Sequence, residues 1–468
     1  MTPPPIVPPA TVELLKLYDR PGPRYTSYPT AVEFHEGFAE GNYREHLARA
    51  DAEPDAPLSM YAHLPFCQER CLYCACNVVV TRHRDVAARY LDHVLLEVDL
   101  LARHLPNRRR ISQLHWGGGT PTYYAMADLA RLHHAISERF TFTPDAEIGI
   151  EVDPRVTSDE HIAGLRRLGF NRISMGVQDF AQVVQQAVHR VQSYEMTKAL
   201  VDRSRAEGFQ SVNLDLIYGL PYQSVDGFQR TLEQVLTIRP DRVAVYSFAF
   251  VPWIKAHMNH FPADTLPDAE LKLQLLGLTI DTFTGAGYRF IGMDHFALPE
   301  DELSKATQAH TLSRNFMGYT VQSARDMVSL GISGIGDLQG AYVQNMKKLP
   351  DYYDALRAGR FPIERGIMLS DDDVLRRYII TQLMCNGRLD VGEVERRFAI
   401  DFGRTFASEL AELTGPDSPC THGLVTVTLR EIAVTMLGRL FLRNVCMIFD
   451  RYLPLQRGGQ KPAFSRTV

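Results

Sequence analysis

Four of the chain's seven cysteines fall within ten residues, in the run Cys67-Gln-Glu-Arg-Cys71-Leu-Tyr-Cys74-Ala-Cys76, while Cys385, Cys420 and Cys446 stand alone far downstream. Gaps of three and then two residues place three thiolates on one short loop, able to hold three irons of a cubic iron–sulfur cluster. The fourth iron of such a cube is left without a protein ligand, and a small molecule bearing an amine and a carboxylate can chelate it. Other readings explain less. Structural zinc sites draw on two separated ligand pairs, whereas the four clustered cysteines here lie on one loop. A redox pair of Cys71 and Cys74 leaves Cys67 and Cys76 without a role. Structural disulfides belong to exported chains, and Met1–Ala10 is proline-rich, unlike a signal peptide with its basic and then apolar stretches.

The bulk properties narrow the class further. A chain of 468 residues, 45% hydrophobic and 22% charged, is globular in composition and has room for roughly two to three domains. A net charge of −5 leaves no electrostatic footprint for nucleic acid, and no apolar run is long enough to span a membrane. The expectation is a soluble cytoplasmic protein with reduced thiols.

Met1–Pro9, with five prolines, predicts an extended, mobile start. The stretch Leu14–Ala31 has little helical or strand periodicity but carries Arg20, Arg24, Tyr25 and Tyr28, and reads as a packed loop or a lid. From Leu58, short apolar runs alternate with amphipathic stretches. The strand candidates are Ser59–Leu64, Gln113–Trp116, Ile148–Val152, Arg172–Val177, Val212–Ile217 and Arg242–Phe248. The helix candidates are Val86–His104, Met126–Phe140, Ser158–Leu168, Tyr194–Gly208 and Ser224–Ile238, with Ser158 and Ser224 as caps and Gly169 and Gly208 as stops. Six strand–helix units require parallel pairing and predict an α/β fold, an incomplete (β/α)6 barrel. Its reactive rim lies at the C-terminal strand ends, where the cysteine loop, Gly117-Gly118-Gly119-Thr120, Glu151 and Asp153, Gln178, and Asp215 with Tyr218 fall.

Tyr288–Phe296 reads as a further strand, followed by mixed helices and turns to about Pro362. Beyond Ser370 the pattern predicts helices over Asp371–Cys385 and Val391–Phe398, a strand over Leu424–Leu429 and a long apolar helix over Ile432–Asp450. That order is winged-helix-like, but it lacks a clustered basic recognition helix, so a mostly helical cap over the barrel is favoured. The expected division is an N-terminal extension and lid (1–50), the barrel with its extension (51–362) and the cap domain (363–468).

Glycines without Cβ let the backbone of the Gly117–Thr120 turn approach a ligand, and the Lys-Ser or Lys-Thr ending of a phosphate loop is missing. Beside the cysteine loop, the turn is a candidate grip for the amino-acid part of S-adenosylmethionine. Glu151 and Asp215 suit amine or ribose hydroxyl groups, unless a neighbour such as Arg155 pairs with them. Arg190 follows the fourth strand and could meet a carboxylate, although taken alone it reads as a solvated helix position; His63 reads as either a hydrogen-bonded core histidine or a substrate-facing one.

These segments resemble the radical S-adenosylmethionine enzymes, and within them the oxygen-independent coproporphyrinogen III oxidases. The likeness is carried by Tyr61-Ala-His63-Leu-Pro65-Phe66 through the cysteines to Asn77, by His115-Trp-Gly-Gly-Gly-Thr-Pro-Thr122 and by Ser174-Met-Gly-Val-Gln178-Asp-Phe180. Asp215-Leu-Ile-Tyr-Gly-Leu-Pro221, Ile291-Gly-Met-Asp-His-Phe296 and Arg24-Tyr-Thr-Ser-Tyr-Pro29 extend it. The related haem chaperones usually lack the counterparts of Cys76 and of the Arg24–Pro29 segment. The resemblance implies that Cys67, Cys71 and Cys74 ligate a [4Fe-4S] cluster, with Cys76 beside it but not a ligand; Cys76, His63 and Glu151 are the catalytic candidates. It further implies two S-adenosylmethionine molecules: the first at Tyr61, Gly118, Glu151 and Ile335, the second at Tyr73, Gly119, Thr120, Gln178, Arg190, Asp215 and Ala249. Tyr73 replaces another aromatic common in the family, and the loop Gly334–Gly340 departs from the family pattern. The implied reaction converts two propionates of coproporphyrinogen III to vinyls, giving protoporphyrinogen IX. The implied partners are this substrate and an electron donor such as a flavodoxin or ferredoxin system, with no nucleic acid, no membrane and a monomeric state.

Overall fold

The computed structural model describes residues 11–321, 324–453 and 464–467, so the expectation for Met1–Pro9 lies outside the described residues. Six strands lie side by side in chain order, all parallel: β1 (Leu58–Leu64), β2 (Arg110–Gly118), β3 (Thr141–Val152), β4 (Arg172–Gln178), β5 (Ser211–Tyr218) and β6 (Arg242–Ser247). Parallel neighbours need crossovers rather than hairpins. Helices Arg84–His104, Met126–Ser137, Asp159–Arg167, Tyr194–Ala206 and Val225–Ile238 supply them.

The helix ends are written locally. Ser158 and Ser224 accept from the backbone amides of His161 and Gly227, and the ring of His161 closes the capping box by accepting from the Ser158 amide. Gly169 and Gly208 follow their helices at φ +96° and +90°, a left-handed turn that costs glycine no Cβ clash.

The sheet does not stop at six strands. Strands β7 (Arg289–Gly292), β8 (His295–Ala297), β9 (Asp326–Leu330), β10 (Ile335–Leu338), β11 (Ala341–Asn345) and β12 (Ile363–Met368) complete the order β12-β11-β10-β9-β1-β2-β3-β4-β5-β6-β8-β7. Strand β9 joins β1 in parallel, and β10 to β12 continue antiparallel. Three expectations change here. Tyr288–Phe296 is two short antiparallel strands rather than one, because the chain turns at Met293 with φ +49°. The segment read as helices and turns up to Pro362 holds β9, β10 and β11, whose pairing with one another and with β1 is invisible to local periodicity. The boundary set at 362 falls one strand early, since Ile363–Met368 pairs with β11.

Beyond Ser370, helix Asp371–Asn386 is capped by Ser370 and ended by Gly387 at φ +63°. A three-stranded antiparallel sheet follows, with β13 (Arg388–Asp390), β14 (Val425–Val427) and β15 (Glu431–Val434) in the order β13-β15-β14. The long helix expected over Ile432–Asp450 is therefore not formed. Its first residues are β15, and Thr435 then caps Met436–Leu440, followed by Leu442–Met447. An apolar run fits a buried strand as well as a helix, and pairing decides between them.

Part of the N-terminal stretch is helical after all, over Thr11–Tyr18. Tyr25 and Tyr28 are buried and share a core with Ile379, Leu383 and Phe449 of the C-terminal region. The Tyr25 hydroxyl donates to Asp450 at 2.9 Å.

Candidate active site

The cysteine loop is fastened at both ends. Phe66–Cys67 pairs in parallel with Val79–Val80, and the amides of Val79 and Thr81 donate to Pro65 and Cys67. The glycine turn is clamped onto the same base: the Gly119 amide donates to Leu64 O at 2.9 Å and the Thr120 amide to Phe66 O at 2.9 Å. A Cβ on Gly119 would stand 2.5 Å from the Pro65 carbonyl, so only glycine permits this approach. Across the loop, His257 Nε2 donates to Cys74 O at 2.9 Å and Lys255 Nζ to Cys76 O at 3.1 Å.

A cavity of about 440 Å³ opens at the C-terminal strand ends. Of the residues singled out in the sequence, Cys67, Cys71, Tyr73, Cys74, Cys76, Gly118, Gly119, Thr120, Glu151, Gln178, Arg190 and Asp215 all line it. Tyr61 and His63 lie behind that lining: the Tyr61 hydroxyl meets His63 Nδ1 at 3.0 Å, and His63 Nε2 meets Asn77 O at 2.9 Å. The histidine is thus hydrogen-bonded on both ring nitrogens, and burial lowers its basicity. Ala249 and Ile335 also stand outside the lining; Ile335, on β10, packs near Phe34 and Tyr342.

Asp153, Arg155, Ser174 and Tyr246 line the cavity as well. Ser174 and Tyr246 were missed by residue-level reading, although both sit on barrel strands that end at the rim.

Three charged arrangements shape the site. Glu151 accepts from the Gly118 amide at 3.2 Å and faces His115 Nε2 at 3.5 Å. Burial pushes its carboxyl up, but His115 and the Gly118 amide outweigh that and hold it below the usual range. Asp215 accepts from Ser174 at 3.1 Å and Asn213 at 2.8 Å. Burial, then the charge of Glu151, pushes it up to about 6. Arg155 pairs with neither of these carboxylates. It and Arg190 both grip Asp153, at 2.7 and 3.0 Å. Arg190 is accordingly buried in an ion pair and not on a solvated helix face; its helix ends at Ala187 and the chain turns through His189 at φ +54°.

The thiols differ among themselves. Cys74 and Cys76 act on each other: Cys76 lowers the Cys74 thiol, and Cys74 raises that of Cys76. Burial raises Cys67 to about 11, although Thr120 Oγ1 stands 3.4 Å from its sulfur. Among the described residues no three His, Cys, Asp or Glu side chains converge as a single-ion site. A cubic cluster asks for a wider spread, with one thiolate to each of three irons, and an all-sulfur donor set on one loop beside open space fits it.

The comparisons with known proteins agree with this geometry. The Radical SAM superfamily model matches residues 61–235. The oxygen-independent coproporphyrinogen III oxidase of Pseudomonas aeruginosa is 43% identical over 458 residues, covering 97% of this chain and 98% of the relative. The chain belongs to the oxygen-independent coproporphyrinogen III oxidases. Their Escherichia coli K12 member is 44% identical over 456 residues, with 97% and 98% of the two chains covered. The solved coproporphyrinogen III oxidase of Escherichia coli, described as a radical SAM enzyme, superposes with a TM-score of 0.89 over 94% of this chain and 99% of that one. As in that family, the fold is a partial α/β barrel with a largely helical C-terminal region, and a [4Fe-4S] cluster and S-adenosylmethionine are the family's cofactors.

Proposed function

We propose that this chain oxidatively decarboxylates two propionates of coproporphyrinogen III to vinyls without oxygen, giving protoporphyrinogen IX in haem biosynthesis. The observation that carries the reading is the meeting of four cysteines, a glycine turn and the carboxylates of Glu151, Asp153 and Asp215 in one cavity at the barrel rim. Cys67, Cys71 and Cys74 would ligate the [4Fe-4S] cluster, and Cys76 would stand by without ligating. When bound, the cluster and S-adenosylmethionine would supply the radical chemistry that removes a β-hydrogen and, with loss of CO₂ and one further electron to an acceptor, turns each propionate into a vinyl.

The chain's own groups bind and orient. Tyr61, Gly118, Glu151 and Ile335 would hold one S-adenosylmethionine, the ionised Glu151 suiting its amine. Tyr73, Gly119, Thr120, Gln178, Arg190, Asp215 and Ala249 would hold a second. The Asn77 carbonyl can only accept, so His63 Nε2 donates to it and Nδ1 accepts from the Tyr61 hydroxyl, while burial lowers the basicity of the ring. The region from Ser370 caps the barrel and helps exclude water.

The same reading makes the protein a cytoplasmic monomer that takes electrons from a flavodoxin or ferredoxin system and binds no nucleic acid. Among the described residues no helix is long and apolar enough to cross a membrane. Anaerobic incubation of the reconstituted protein with coproporphyrinogen III, S-adenosylmethionine and reductant tests the proposal. A divinyl dicarboxylate product supports it, and recovery of unchanged tetracarboxylate contradicts it.

A further inference from the structure

Cys71 is unlike the other cysteines of the loop in its surroundings. Arg155 Nη2 stands 3.7 Å and Arg190 Nη1 3.8 Å from its sulfur. Both guanidiniums are held by one carboxylate. Asp153 Oδ1 accepts from Arg155 Nε at 3.0 Å, and Oδ2 accepts from Arg155 Nη2 at 2.7 Å and Arg190 Nη1 at 3.0 Å. The Arg155 amide also donates to Asp153 Oδ1 at 3.0 Å, so the turn after β3 presets the pair. Two cations and one anion leave one net positive charge against the thiol. The side chains of Asp153 and Arg190 are only 9% and 8% exposed, and that of Arg155 21%. Little water intervenes to screen them.

We infer that Arg155, oriented by Asp153, is a positioning residue that eases one-electron reduction of the cluster through the Cys71 sulfur; this rests on the cluster assignment proposed above. Reduction transfers one electron from a low-potential donor to the cluster and adds one negative charge there. Hydrogen bonds to the ligating sulfur, and a positive charge near it, stabilise the more negative state. A planar guanidinium suits the position because it can grip Asp153 through one edge and face sulfur with another N–H.

The test uses anaerobically reconstituted full-length protein, with iron and sulfide counted first and the midpoint potential then read by electron paramagnetic resonance in a mediated titration. Arg155→Gln is expected to keep its cluster while the reduced-to-oxidised ratio at a fixed potential falls about tenfold, equivalent to about 59 mV for one electron. Arg155→Lys should recover most of that loss. Asp153→Asn keeps an oxygen to accept from the Arg155 amide and Nε while removing the opposing negative charge, so it should shift the potential the other way; it decides the matter if Arg155→Gln cannot hold a cluster. A wild-type midpoint in a fully loaded variant, whether Arg155→Gln or the deciding Asp153→Asn, overturns the inference. If the wild-type protein itself takes up no cluster, the functional reading fails instead, and iron counting separates the two failures.

Discussion

The main-chain amide of Gly118 donates to Oε2 of Glu151 at 3.2 Å, tying the glycine turn after β2 to the carboxylate at the end of β3. Gly118 holds φ at +113°, and a Cβ there would lie 2.5 Å from the His63 ring. That ring cannot swing away without losing Tyr61 and Asn77. Gly118→Ala should therefore displace the turn and lower S-adenosylmethionine cleavage by about 100-fold, with the helical circular dichroism retained. Cleavage at the wild-type rate would show that the turn does not position the ligand.

Cys67→Ala, Cys71→Ala and Cys74→Ala should each abolish iron binding on anaerobic reconstitution. Cys76→Ala should keep near wild-type iron and sulfide while losing activity. Chemical analysis of the four variants checks this, and an iron-free Cys76→Ala would refute the three-ligand assignment.

How far the sequence made this site legible depends on the kind of contact. The six barrel strands were readable because caps such as Ser158 and Ser224 and stops such as Gly169 are written within a few residues of each helix end. The rim residues followed from the strand ends. For Arg190 the solvated-helix reading fails and the carboxylate reading holds; the sequence could not choose, because Asp153 lies 37 residues away and the turn at His189 cannot be inferred from composition. The same limit applies to β9–β11, whose strands are defined by distant pairing, and to Ile432, which pairs with Val427 and Leu389 instead of extending a helix. Of the two readings of their segment, packed loop or lid, Tyr25 and Tyr28 follow the first, since their aromatic faces are spent on the C-terminal core.

Arg24 keeps the lid idea testable. It pairs with Asp294 at 3.0 Å and lies over the ring of Tyr246, a residue of the cavity lining. Arg24→Gln should weaken decarboxylation while leaving the cluster and basal S-adenosylmethionine cleavage in place. Tyr25→Phe should instead cost about 1–3 kcal/mol of stability by removing a donor from buried Asp450. Product formation and denaturant unfolding, measured side by side, separate the two roles; unaltered decarboxylation in Arg24→Gln would reduce the segment to packing.

Glu97 offers a pH signature. It is 2% exposed and accepts from the Gly331 amide, Asn345 and the Tyr352 hydroxyl. Burial raises its carboxyl from 4.5 to about 7 despite these donors. A folded-state value above the unfolded one means that the folded protein binds the proton more tightly. The stabilising contribution is full below about pH 4.5 and is lost as pH rises through about 7, amounting to about 3 kcal/mol at most. Denaturant midpoints should fall over this window in the wild type and change less in Glu97→Gln; parallel curves would contradict the assignment.

The most direct measurement uses coproporphyrinogen III carrying deuterium at the β-carbons of the two propionates to be oxidised. The account predicts that each vinyl formed leaves one deuterium in 5′-deoxyadenosine, with two labelled molecules per protoporphyrinogen IX. Conversion to product with unlabelled 5′-deoxyadenosine would contradict radical abstraction at this cavity.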